Sequence, residues 1–346
     1  MKLGLLLRYD GEPGGPNMDL VLEAERLGFE SVWSGESYGT DSVTPVAWVL
    51  ARTKRIKAGT GIMQMPGRTP ACAAMTAMTL QAMSGNRFLM GIGPSGPQVV
   101  EGWHGVAYGK PLARTKEYIE IVRKIFDRTG NLEYQGEHYQ IPYKGPGATG
   151  LGKPIRSIVK AQPGLPIYTA AIAPAGLRTA GEVADGVLPI YLNPEKAELV
   201  VDPVLEGRVK AGKPRNLDGF DIAPYVRMAM GPDLAKCRDA VRPQFALYIG
   251  GMGAREKNFY NDYAKRLGYA DAAVTIQDHF LAGRRNEAAA AVPDKLIDEI
   301  ALVGPADRIK GRLKDWKAAS KDGRVGTMLV AGADMDGLRV LAEGAA

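Results

Sequence analysis

Ile56-Lys57-Ala58-Gly59-Thr60-Gly61-Ile62-Met63-Gln64 reads as a strand of small and apolar residues that stops abruptly before a Pro66-Gly67 turn. Barrel enzymes carry their chemistry at the C-terminal ends of such strands. A glycine beside a branched residue there leaves the backbone bare enough for a flat ligand to lie against it. The same residues also suit an ordinary buried strand with a glycine kink. The surrounding chain decides between the two.

Strand and helix signals alternate on both sides of this stretch. Strands are expected at 3–7, 29–33, 56–62, 88–92, 167–170, 186–190, 222–230 and 327–330. Helical patterns fall between them, at 18–27, 44–51, 69–83, 112–126 and 175–183. Residues 130–165 are irregular, with a hairpin-like 132–141 and a Gly/Pro-rich 145–166. Eight strands interleaved with helices favour an α/β fold closed as a (β/α)8 TIM barrel over an open sheet. The stretch between the seventh and eighth strands far exceeds one crossover helix. It carries helical patterns at 233–248, 255–267, 270–281, 294–302 and 307–319. We read about 231–303 as a helical insertion within a single domain spanning 1–346, because no flexible linker bounds it.

The composition fits a soluble enzyme-sized chain. It has 346 residues, 45% hydrophobic and 24% charged. A single α/β barrel takes about 250 residues and tolerates large insertions. Net charge is +6. The basic clusters, Arg52/Lys54/Arg55/Lys57 and Arg208/Lys210/Lys213/Arg215, lack interleaved aromatics and read as solvated faces. Nucleic-acid binding is therefore not expected, though a modest positive field suits an anionic ligand. Only Cys72 and Cys237 are present, and His104, His138 and His279 lie far apart, so no metal site or disulfide framework is expected. No apolar run approaches the ~20 residues of a membrane span. A cytoplasmic protein, homodimeric and acting on a small molecule, is the expectation.

Several segments offer chemistry. Gly91-Ile92-Gly93-Pro94-Ser95-Gly96 matches GxGxxG, but it follows the fourth strand and holds a rigid Pro94, which suits a dinucleotide fold poorly. It reads as a glycine-rich loop on the catalytic face or as a tight turn. Tyr168 to Gly176 runs from strand through small residues into a helix with Pro174 at its first position. Free N–H groups there suit a phosphate, or the segment is plain helix initiation. Glu36 and Ser37 follow the second strand. A carboxylate there either binds hydroxyls and moves protons or is a solvated loop acid. Trp103 and His104 sit in a glycine-flanked loop, walling a pocket or packing within the loop. No nucleophile elbow is present, and no catalytic residue is assigned.

The chain resembles the luciferase-like superfamily, in the branch of oxidoreductases that use the deazaflavin coenzyme F420. The resemblance rests on residues 27–33 (LGFESVW), 59–62 (GTGI), 86–93 (NRFLMGIG) and 180–186 (AGEVADG), with 95–103 (SGPQVVEGW) resembling an actinobacterial subset. It covers Met1 to about Gly332. It implies a barrel with a bulge at the third strand and a non-proline cis peptide at Gly61-Ile62, which presses Ile62 against the deazaflavin ring. It implies cofactor contacts at Glu36, Ser37, Gly61, Ile62, Gln64, Ser95, Gly96 and Val100, and a phosphate loop at Ile172, Ala173 and Ala175. Two departures stand out. Relatives that oxidise sugar phosphates or alcohols carry a histidine where this chain has Ser37, and the usual phosphate-loop glycines are Ile172 and Ala173 here. The implied activity is hydride transfer between F420 and a small organic substrate. Flavin mononucleotide with oxygen chemistry, or a carrier that binds F420 without turnover, are the alternatives.

Overall fold

The computed structural model describes residues 1–7 and 15–346. In chain order the barrel opens with β1 (Lys2–Leu6), α1 (Met18–Arg26), β2 (Ser31–Ser34), α2 (Val43–Arg52), β3 (Lys57–Thr60), β4 (Met63–Gln64), α3 (Pro70–Met83) and β5 (Phe88–Gly93). It continues with α4 (Pro97–Gly102), α5 (Pro111–Asp127), a small hairpin of β6 (Tyr134–Gln135) and β7 (Gln140–Ile141), then β8 (Ile167–Ala170), α6 (Pro174–Val183), β9 (Gly186–Leu188) and α7 (Glu198–Lys210). The last part holds β10 (Asp221–Ile222), β11 (Tyr225–Met230), helices α8 (Leu234–Ala246), α9 (Phe259–Arg266), α10 (Ala270–Leu281), α11 (Arg285–Ala290) and α12 (Asp294–Ile300), β12 (Ala301–Gly304), α13 (Ala306–Lys321), β13 (Thr327–Ala331) and α14 (Met335–Ala345).

The large sheet is parallel throughout, in the order β10-β9-β8-β5-β3-β2-β1-β13-β11-β12, with β4 added against β5. Pro224, which has no N–H to give a ladder, splits the seventh barrel strand into β10 and β11. β10 pairs with β9 through Asp221 and Gly186, and β11 pairs with β13 through Tyr225 and Leu329. An Ile190–Tyr225 bridge links the chain just after β9 to β11. The sheet thereby curls into the expected (β/α)8 barrel, with helices on the outside.

Its lumen is filled by Trp33, Leu89, Tyr168, Leu188, Ala223 and Leu329, with Leu6, Ile62 and Tyr225 packed against them. Trp33 meets Tyr168 edge to face at 5.1 Å between ring centroids. Its indole Nε1 donates to Ser31 Oγ at 2.8 Å, so the one polar atom of this ring is satisfied inside the barrel. Gly59 lies under the ring, where a Cβ would come within 2.7 Å of it. The glycine is thus required by the tryptophan. At the barrel's N-terminal end Asp221 accepts hydrogen bonds from Tyr168 Oη (3.1 Å) and Thr327 Oγ1 (2.9 Å), tying three strands together.

The structure departs from the sequence expectation in particular elements. The strand expected over 56–62 stops at Thr60 and resumes as β4 after the cis Gly61-Ile62 peptide that the family resemblance implies. The helix expected over 294–302 ends at Ile300, and Ala301–Gly304 returns to the sheet beside β11. A four-residue apolar run at a helix end has no period long enough to separate the two. The helix expected at 233–248 gives way after Ala246 to a π turn over Leu247–Gly251, where Gly250 and Gly251 pack against the Phe280 side chain. The helix expected over 255–267 begins only at Phe259, where Asn258 Oδ1 caps two backbone N–H groups. The helices α7, α14 and the short α4 and α11 were not anticipated. The insertion helices lie over the C-terminal ends of neighbouring strands: Arg266 Nη2 donates to Ile172 O at 3.1 Å, and Lys196 Nζ to Leu267 O at 2.5 Å. Both cysteines are free thiols, Cys72 exposed in the first turn of α3 and Cys237 buried in α8.

Candidate functional site

The decisive local feature is how β5 receives the bulge between β3 and β4. Thr60 Oγ1 donates to Gly91 O at 2.7 Å and accepts from Gly91 N at 3.0 Å. A Cβ on Gly91 would collide with Thr60 O, and one on Gly93 would collide with Ile62 Cδ1. The first two glycines of the GxGxxG match are therefore dictated by close packing against the bulge. The loop after β5 turns through Ser95 at φ +61°, and Gly96 caps α4, so a helix does open directly there. A Cβ on Gly96 would meet only Gln98 Oε1, at 3.5 Å.

Gly61 and Ile62 form the floor of this region. Tyr225 Oη, reaching across from β11, donates to Gly61 O at 2.6 Å. Gln64 is 1% exposed, and its Nε2 donates to both Glu36 O and Ser37 O at 3.0 Å. Its Oε1 lies 2.5 Å from His104 Nε2. The Glu36 carboxylate is fully engaged. It accepts from Arg68 Nη1 (2.7 Å), Gln64 N (3.2 Å), Ser42 N (2.9 Å) and Ser42 Oγ (3.2 Å). Burial alone would lower the Arg68 guanidinium. The Glu36 carboxylate outweighs it and holds Arg68 above its ordinary value. Glu36 thus anchors the loop after β2 to the segment after β4.

The second group lies one strand further round, since β5 pairs directly with β8. Beyond β8 the chain passes Ile172 and starts α6 with Ala173 as its cap residue and Pro174 in the first turn. No side chain caps this start, so the first-turn N–H groups after Pro174 have no partner within the helix. Ala175 is exposed and Ile172 buried. Arg266, lowered in pKa by its own burial, stands beside Ile172 O.

Glu36, Ser37, Gly61, Ile62 and Gln64 are therefore joined by direct bonds or chain adjacency, and Gly93 brings Ser95 and Gly96 beside them. The side chain of Val100, on α4, is wholly buried. No hydrogen bond joins the 172–175 segment to the Gly61–Gln64 group among the described residues. Trp103 is 65% exposed, so it does not pack within its loop. Sequence reasoning missed Thr60, Arg68 and Tyr225. Arg68 follows the Pro66-Gly67 turn that closes the opening stretch, but nothing in one sequence pairs it with Glu36. Among the described residues no cluster of side chains has the makings of a metal site, and no helix is long and apolar enough to cross a membrane.

Known proteins resemble this chain over most of its length. The family model for luciferase-like monooxygenases matches residues 1–322. The Mycobacterium tuberculosis protein Rv3520c, named as a coenzyme F420-dependent oxidoreductase, is 40% identical over 321 residues, covering 92% of each chain. A 5,10-methylenetetrahydromethanopterin reductase of Archaeoglobus fulgidus is 30% identical over 302 residues, covering 86% of this chain and 84% of the relative. Among solved structures, the F420-dependent tetrahydromethanopterin reductase of Methanopyrus kandleri superposes with a TM-score of 0.78 at 23% identity, over 99% of this chain and 97% of that one. With a barrel, a bulged third strand and a matching sequence over nearly its whole length, the chain belongs to the luciferase-like monooxygenase family.

Proposed function

We propose that this chain is a coenzyme F420-dependent oxidoreductase that moves a hydride between the deazaflavin and a small organic substrate. The observation that carries the reading is an arrangement at the C-terminal ends of the strands on either side of β5. An apolar floor at Ile62, beside Gly61 and Thr60 that Tyr225 and Gly91 hold in place, lies on one side, and on the other is a helix start at Ala173 to Ala175 whose N–H groups no side chain caps. The first suits a flat ring and the second a phosphate. The residues present therefore fit the coenzyme. The relative Rv3520c, named for the same cofactor, supports the choice of F420.

In this reading Ile62 supports one ring face. Gln64, Ser95, Gly96 and the backbone of Glu36 and Ser37 border the ring, and Val100 packs beneath the loop that carries Gly96. Backbone N–H groups of the 172–175 segment hold the phosphate, assisted by the positive end of the α6 dipole. When bound, the deazaflavin supplies the hydride chemistry, while the protein supplies orientation and a dry site. A net charge of +6 favours the anionic coenzyme.

The test is a fluorescence titration of the apoprotein with F420 and, separately, with flavin mononucleotide. F420 should bind tightly. Gly96→Asp should abolish binding while leaving the fold intact, since a Cβ there meets no close neighbour. Ala175→Asp should weaken binding, because its carboxylate competes for the same N–H donors. Ile172→Gly should keep it, because backbone carries the interaction. Parental affinity in folded Ala175→Asp would put the phosphate elsewhere. Tight flavin mononucleotide binding with none of F420 would turn the reading to a flavin-dependent monooxygenase.

A further inference from the structure

The buried amide of Gln64 settles the chemistry of His104. Its Nε2 lies 3.0 Å from two backbone carbonyls, Glu36 O and Ser37 O, and carbonyls only accept. The amide nitrogen must face them. The atom 2.5 Å from His104 Nε2 is therefore the amide oxygen, which cannot donate. His104 Nε2 must carry a hydrogen, and in the neutral ring Nδ1 is left with the lone pair. Nδ1 has no partner among the described residues.

Adding a proton at Nδ1 does not disturb this anchor. The Nε2–H still donates to Gln64, and the bond becomes charge-assisted. The ring can thus take up and release a proton without moving. The charged groups of the surrounding loops are engaged with one another or with backbone. Glu36 and Arg68 neutralise one another at 2.7 Å, with Asp41 a further 3.9 Å from Arg68, and Glu101 accepts from Tyr108 N at 3.3 Å. Gly67 lies against the ring, where a Cβ would stand 3.1 Å from Cε1, so a bare backbone makes room for it. The other two histidines differ. His279 is paired with Glu287 on the surface, and His138 belongs to the β6–β7 hairpin.

We propose that His104 is the proton-exchanging group of the site: Gln64 locks its Nε2–H tautomer, and Nδ1 takes a proton from an O–H or N–H of the substrate or returns it. In the forward sense the substrate's O–H or N–H bond breaks, its electron pair stays on the heteroatom, and the proton forms imidazolium at Nδ1. The reverse step restores the neutral ring. This inference rests on the reading that Gln64 borders the coenzyme.

Nitrogen-15 NMR of histidine-labelled protein tests it, with His104→Asn identifying the His104 signals by their loss. In the apoprotein at a pH where the ring is neutral, Nε2 should show the protonated resonance and Nδ1 the unprotonated one. Gln64→Leu should abolish this tautomer preference. Saturation with F420 should shift the His104 Nδ1 resonance and leave His279 unmoved. A neutral ring protonated at Nδ1 would overturn the proposal. So would a His104 signal that stays still while fluorescence shows F420 bound, the result expected of a purely structural histidine. Loss of F420 binding altogether would instead overturn the functional reading, and the proton role with it, while the apoprotein spectrum still decides the tautomer.

Discussion

Tyr225 and Gly61 form a pair in which each residue explains the other. The hydroxyl donates to Gly61 O at 2.6 Å, and it occupies the space where a Cβ on residue 61 would sit. Tyr225→Phe removes one hydrogen bond to a backbone carbonyl, an expected cost of about 1 kcal/mol. Gly61→Ala forces an overpacked contact, with an expected cost of about 1–3 kcal/mol. The two effects should not add. Without the hydroxyl the nearest ring atom is 3.3 Å from the new Cβ, so the double variant should be more stable than the sum of the single changes implies. Urea denaturation of the four proteins measures the coupling, and strict additivity would refute the steric account. None of this pairing was legible in the sequence. The two residues are 164 positions apart, and each looks ordinary alone: a glycine in a strand and a tyrosine at a strand start. Glu36 and Ser37 were legible as a loop on the catalytic face, but the sequence could not say that the carboxylate is consumed by Arg68 and Ser42.

At the level of elements, the bulged third strand depends on its neighbour β5, and the two glycines there should respond differently to the same substitution. On Gly91 a Cβ meets the backbone oxygen of Thr60, which cannot move without breaking the β3–β5 ladder. On Gly93 it meets the far end of the Ile62 side chain, with Ala170 Cβ at an ordinary contact distance of 3.6 Å. Gly91→Ala should therefore yield insoluble or unfolded protein. Gly93→Ala should fold with a loss of about 1–3 kcal/mol, and Ile62→Val should recover part of it. Thermal melts of the soluble variants check the order; a Gly91→Ala protein as stable as the parent would contradict it. Most of the β/α alternation was readable from apolar runs bounded by turn signals. β12 was not, since it follows α12 directly, with no turn to divide one apolar run from the next. The GxG of Gly91-Ile92-Gly93 was visible as a motif, and its cause was not, because the crowding atoms come from a strand about thirty residues earlier.

For the whole molecule, closure of the barrel runs through Asp221, which joins β8, β10 and β13 at the N-terminal end. Burial raises its carboxyl above the ordinary range, with the Thr327 and Tyr168 hydroxyls offsetting part of the rise. A folded-state value above the unfolded one (about 3.9 for aspartate) favours the protonated form in the fold. Stability from this group is present below the unfolded value and is lost as pH rises through the folded value. Asp221→Asn removes that dependence. The stability difference between variant and parent should therefore move in the variant's favour between pH 4 and pH 7, as read by urea midpoints at each pH. A difference constant with pH would show that Asp221 titrates alike in both states. The two thiols give the same molecule a built-in stopwatch. Cys72 faces water on α3, while Cys237 is buried on the insertion helix α8. A thiol reagent should consume one equivalent at once, and the second only as fast as α8 lifts away from the barrel. The lag between them times the breathing of the insertion over the strand ends, with no need of a known substrate.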